Sequence, residues 1–131
     1  MLDLCIFTFA PVRYFKVDQI VDIVKNATGW NATFWELMKA GERGTTMARI
    51  FNLKHGLTYK DDSLPQRMFQ GIENGPMEGA AVPKEELYQA IKLYYDLMGW
   101  TEDMGVPRYG KLIDLQIEWA GEYLPKVVIT Q

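Results

Sequence analysis

The chain has 131 residues, 48% hydrophobic and 24% charged, with a formal net charge of -3. That length fits one domain large enough to bury a core. The acidic balance argues against a nucleic-acid or anionic-membrane surface, which normally needs a basic stripe.

One cysteine, Cys5, rules out an intrachain disulfide and suits a reducing cytoplasm. No apolar run reaches the roughly 18 residues of a membrane span. The start, Met1-Leu2-Asp3-Leu4-Cys5-Ile6-Phe7, lacks the basic region of a signal peptide. Without that signal, Asn26-Ala27-Thr28 and Asn31-Ala32-Thr33 read as helix-end chemistry and not as glycosylation sites. The expected location is the cytoplasm.

In chain order, the first feature is apolar. Leu2, Leu4, Ile6, Phe7 and Phe9 follow Met1 directly, where a domain usually opens on a polar tail. The segment reads as an interior stretch that has lost what preceded it, and as a surface open to self-association. Val17, Ile20, Val21, Val24 and Ala27 then recur at helical spacing and predict a helix over 16–27, capped at Gly29.

Thr33-Phe34-Trp35-Glu36 has the T-x-x-E form of a capping box. A second helix is expected from Thr33 to about His55, stopped by Gly56, with Phe34, Leu37, Met38, Gly41, Thr45, Ala48 and Phe51 inward. Residues 57–82 read as mostly irregular. Asp61, Asp62 and Ser63 are expected to cap a short turn that includes Pro65 and ends at Phe69. Residues 71–79 read as a long loop draped over a surface.

Pro83 opens a third long helix with Glu85 and Glu86 in its first turn and Leu87, Ile91, Tyr94 and Met98 on one face, closed by Gly99. Pro107 opens a last helix to about Gly121, with Leu112, Leu115, Ile117 and Trp119 inward. Val127-Val128-Ile129 reads as a short strand or docking tail within a terminal segment, 122–131. The expected fold class is all-α, four to five helices with a long irregular loop, in one helical domain over 1–131.

No catalytic constellation is visible. His55 is the lone histidine and cannot build a zinc site, which needs several nitrogen or sulfur ligands; a capping or surface role is the simpler reading. Asp61-Asp62 resembles a metal-binding carboxylate pair but reads better as capping. Cys5 has two readings, a buried structural thiol or a cluster ligand.

The motifs carry a resemblance. Gly41-Glu42-Arg43, followed by Ala48-Arg49-Ile50-Phe51-Asn52-Leu53-Lys54-His55-Gly56-Leu57, resembles G-E-R…x-R-x-F-N-x-R/K-x-G. Asp61-Asp62-Ser63-Leu64-Pro65-Gln66-Arg67 resembles D-D-x-L-P-x-R. Gly75-Pro76, Gly79, Tyr94-Tyr95 and Gly99-Trp100-Thr101 follow in the expected order. Together these are similar to the C-terminal region of the aldehyde ferredoxin oxidoreductases, from about residue 4 to about 121.

The resemblance implies a helical C-terminal part of an enzyme that oxidises aldehydes to carboxylic acids. That family uses a tungsten or molybdenum pterin and passes electrons through a 4Fe-4S cluster to ferredoxin. It implies that Cys5, at the end of a D-x-x-G-L-C motif, is the fourth cluster ligand, and that Leu4 touches the pterin. The motif's aspartate would precede Met1, and Asp3 stands at its glycine position. The other three cysteines, the acid/base residues and most pterin ligands lie upstream in the family. The chain alone is therefore expected to be inactive and to bind no cofactor, its partners being the catalytic portion and ferredoxin. Two other readings stay open: a small subunit docking on a separately encoded catalytic chain, and a stand-alone helical interaction module that buries Leu2, Leu4, Ile6 and Phe9 in an oligomer.

Overall fold

The computed structural model describes residues 15–125. Among these are four α-helices, three 3-10 helices and no strand, so the expected all-α class holds. The chain divides into two compact units, Met1–Ala48 and Arg49–Gln131.

In the first unit, α1 spans Val17–Thr28. The Gln19 side chain accepts the Lys16 amide at 2.7 Å, and Gly29 ends the helix at φ 74°. No α1 residue is buried; Ile20, Val21 and Val24 are half-buried. The second helix, α2, spans Phe34–Lys54. Its capping box forms as expected. Thr33 donates its amide to Glu36 Oε2 at 2.7 Å, and Glu36 donates its amide to Thr33 Oγ1 at 3.3 Å.

The inward stripe of α2 departs from the expected one. Leu37, Gly41, Thr46, Arg49 and Ile50 are buried, while Phe34, Ala48 and Phe51 are exposed. A hydrophobicity stripe cannot register a buried threonine and arginine, so the predicted face was rotated.

The second unit begins with the end of α2. A 3-10 turn, Tyr59–Asp61, is capped by Thr58, and a second, Gln66–Phe69, follows Pro65. Asp61 therefore closes its own turn. The second turn has no side-chain cap, contrary to the expected role of residues 61–63. The 71–80 loop is pinned at its base. Gly79 donates to the Ile72 carbonyl at 2.8 Å, and Ile72 donates to the Ala80 carbonyl at 3.1 Å.

Helix α3 spans Lys84–Leu97 and α4 spans Tyr109–Asp114. Tyr95, and not Tyr94, is the buried residue of α3. The expected last helix is broken in two. Gln116 adopts φ 57°, and a 3-10 helix, Glu118–Tyr123, follows. Ile117 donates to the Leu112 carbonyl at 2.9 Å and Gln116 to the Ile113 carbonyl at 3.0 Å, which is a Schellman ending. The break turns Leu112, Leu115, Ile117 and Ala120 into one core with Ile50, Val106 and Leu124. It leaves Trp119 exposed.

Candidate functional site

The polar centre of the second unit is built on Arg49. Its helix carries it into the interior, where the side chain is only 8% exposed. Nη1 lies 2.7 Å from Asp62 Oδ2. Nε donates to the Gly105 carbonyl at 2.8 Å, and Nη2 donates to the Tyr95 hydroxyl at 3.3 Å and the Met104 carbonyl at 3.4 Å. The Tyr95 hydroxyl in turn donates to Asp62 Oδ2. The guanidinium also sits 5.3 Å from the Tyr95 ring centroid and 5.7 Å from that of Trp100.

These bonds join α2, the 58–65 segment, α3 and the 101–106 loop at one charge. Each guanidinium nitrogen of Arg49 has a partner within the cluster, as a buried charge requires, while the buried Trp100 indole N–H has none. Burial, followed by the hydrogen bond to Asp62, pushes Tyr95 up to about 12, with Arg49 opposing. Tyr95 is therefore a neutral donor at physiological pH and not a base. The 101–106 loop closes beneath it through Thr101, whose hydroxyl accepts the Val106 amide at 3.1 Å.

A cleft of about 420 Å³ opens beside the cluster, lined among others by Tyr59, Tyr88, Ile91, Tyr95 and Asp62. Lys92 at its edge donates to Asp103 at 3.0 Å, which holds the ammonium pKa above its usual value. The carboxylates here are engaged with Arg49 and Lys92, so this arrangement leaves no free acid/base pair and acts as a fastening.

Leu4 and Cys5, the two residues expected to meet a pterin and a cluster, lie outside the described residues, as do Leu2, Ile6, Phe9 and the 127–129 tail. His55 is exposed; its Nδ1 lies 2.9 Å from the Phe51 carbonyl and its ring 4.2 Å from that of Phe51, which fits the surface reading. Asp61 accepts the Thr58 amide at 2.7 Å, which lowers its pKa and fits the capping reading. Asp62 departs from that reading, being the counter-ion of Arg49. Among the described residues no group of three His, Cys, Asp or Glu is placed to hold a metal ion. The described residues therefore do not fit a metal centre by themselves. Sequence reasoning missed the Arg49–Asp62–Tyr95 cluster, although Arg49 and Asp62 both stand in the quoted motifs.

Comparison with known proteins follows the same line. The family model described as "Aldehyde ferredoxin oxidoreductase, domains 2 & 3" matches residues 1–117. A tungsten-containing aldehyde ferredoxin oxidoreductase of Pyrococcus horikoshii is 38% identical over 117 residues, covering 88% of this chain and 18% of its own. One from Pyrococcus furiosus is 37% identical over 107 residues, covering 80% and 17%. The chain thus spans less than a fifth of the length of these relatives. Among solved structures, the active-site complex BamBC of benzoyl coenzyme A reductase, with 1,5-dienoyl-CoA, aligns with a TM-score of 0.65 at 22% identity. It covers 82% of this chain and 15% of that one, and shows a shared fold. No helix among the described residues is long and apolar enough to cross a membrane. By the family match over residues 1–117 and the identity to these relatives, the chain belongs to the aldehyde ferredoxin oxidoreductase family.

Proposed function

We propose that the chain serves as the C-terminal part of an aldehyde ferredoxin oxidoreductase, helping to enclose a tungsten pterin and a 4Fe-4S cluster. The observation that carries this reading is the match of most of the chain to less than a fifth of each tungsten-containing relative. When bound, the pterin metal supplies the two-electron oxidation of an aldehyde to a carboxylic acid, and the electrons reach ferredoxin through the cluster.

In this reading Cys5 provides one thiolate and Leu4 an apolar contact to the pterin. A 4Fe-4S cluster takes four thiolates, and this chain holds one cysteine. The chain alone is therefore catalytically incomplete. In its second unit Arg49 fastens the end of α2, the 58–65 segment, α3 and the 101–106 loop to one another. The abundance of exposed large apolar residues, Trp35, Phe51, Leu97 and Trp119 among them, supports a surface covered in the complete protein.

The test is reconstitution. The purified chain is assayed for aldehyde-dependent ferredoxin reduction alone and after co-expression with the upstream portion of the enzyme. Activity is expected only from the pair. Turnover by the single chain would contradict the proposal.

A further inference from the structure

Helix α3 divides its surface into three sectors at 100° per residue. Leu87, Ile91, Tyr95 and Met98 are half-buried or buried against the chain's own interior. Glu85, Gln89, Lys92 and Asp96 form a polar sector in solvent. The third sector is Ala90, Leu93, Tyr94 and Leu97, at spacing i, i+3, i+4 and i+7, and all four are exposed. Leu93 is 60% exposed and Leu97 74%.

A helix on a domain surface needs one apolar stripe and turns polar residues outward. This one has a second apolar stripe beside the first over its last two turns, with Glu86 on the same face one turn earlier. The spacing is that of a helix–helix seam, in which four residues over two turns enter a facing helix. The adjoining polar sector shows that α3 presents charge where it meets water.

The relatives' greater length supplies polypeptide that could cover the stripe. In the relatives this stretch is 17–18% of the polypeptide, and in the solved neighbour 15%. More than four fifths of each protein lies outside it. We propose that the Ala90–Leu93–Tyr94–Leu97 stripe is the seam on which an apolar helix of the enzyme's remaining, catalytic polypeptide docks. This rests on the reading that the chain is one part of such an enzyme, and adds which face meets the rest.

The probe is the Pyrococcus horikoshii relative lacking the stretch that this chain matches. Its binding to the 131-residue chain is measured by biolayer interferometry for the wild type, for Leu93→Asp with Leu97→Asp, and for Gln89→Asp in the polar sector. Circular dichroism melting of each chain alone controls for folding. The seam variant is expected to bind about tenfold more weakly or worse, with an unchanged melt, while Gln89→Asp stays within about twofold. If the double variant does not fold, Leu97→Ser carries the same comparison at the more exposed position.

Equal binding by the seam variant and the wild type overturns the seam and leaves the enzyme-part reading standing. Absence of wild-type binding overturns both. A wild-type dimer that the seam variant dissociates, with no binding to the probe, assigns the stripe to a second copy and overturns the proposal.

Discussion

Arg49 and Asp62, thirteen residues apart in the chain, meet at 2.7 Å in the interior of the second unit, with the Tyr95 hydroxyl donating to the same carboxylate oxygen. The pair is unequal. Arg49 is nearly enclosed, and Asp62 is one third exposed. Removing the arginine leaves the Asp62 carboxylate without its counter-ion and the Gly105 carbonyl without the Arg49 donor, whereas removing the aspartate charge leaves a guanidinium that keeps three other acceptors. Arg49→Met is expected to cost about 3 kcal/mol of unfolding free energy, and Asp62→Asn about 1–2 kcal/mol. Urea denaturation of the two variants checks the order. A loss below about 1 kcal/mol for Arg49→Met would mean that the cluster does not fasten the fold.

The same cluster fixes a pH response. Tyr95 is raised in the folded chain to about 12, above its usual 10. Its neutral form is therefore favoured by folding. That contribution is fully present below pH 10 and is lost as pH rises towards 12. Ultraviolet titration of the wild type against Tyr95→Phe should assign the missing tyrosinate signal to the high-pH end. A signal lost from the ordinary tyrosine range would contradict the burial of that hydroxyl.

Two glycines should respond with opposite signs. At Gly105, φ is 61°, and an added Cβ would lie 2.5 Å from both Arg49 Nη2 and Tyr95 Cζ. Gly105→Ala is expected to cost on the order of 3 kcal/mol, from the left-handed backbone and the displaced cluster together. Gly44 lies inside α2 with nothing within 4 Å of an added Cβ. Gly44→Ala is expected to add about 0.5–1 kcal/mol through helix propensity. Thermal melts of the two variants decide both signs.

Gln116 occupies the position that follows a helix end, at φ 57°. Glycine holds this conformation without the steric cost that a Cβ brings. Gln116→Gly is expected to raise stability by about 0.5–1 kcal/mol, read as a higher urea midpoint at unchanged slope. A loss would show that the glutamine side chain contributes there.

The helix boundaries were legible because local chemistry sets them. Thr33 and Glu36 cap α2 within one turn, and Gly29 and Gly56 end helices at positive φ. The inward faces were less legible. On α2 the stripe passes through Thr46 and Arg49, polar residues that periodicity assigns to solvent. On α3 two apolar stripes lie side by side, so periodicity alone favours Tyr94 as much as Tyr95, and only Tyr95 is buried. The break at Gln116 left no composition signal, because the residue that turns is not glycine. Asp62 resembled its neighbour Asp61, but its partner lies across the fold and not in the adjacent turn.

The motifs were legible as a family signature and silent about the geometry they build. Arg49 and Asp62 belong to separate motifs, Ala48–Leu57 and Asp61–Arg67, and only the folded chain shows them as one ion pair.

The most direct measurement is iron. The chain co-expressed with the upstream portion of the enzyme, wild type against Cys5→Ser, is purified and its iron counted per complex. About four irons per wild-type complex are expected, falling well below that in Cys5→Ser while the two polypeptides still co-purify. Full iron in Cys5→Ser, or a wild-type chain that acquires its full iron without the upstream portion, would contradict the account.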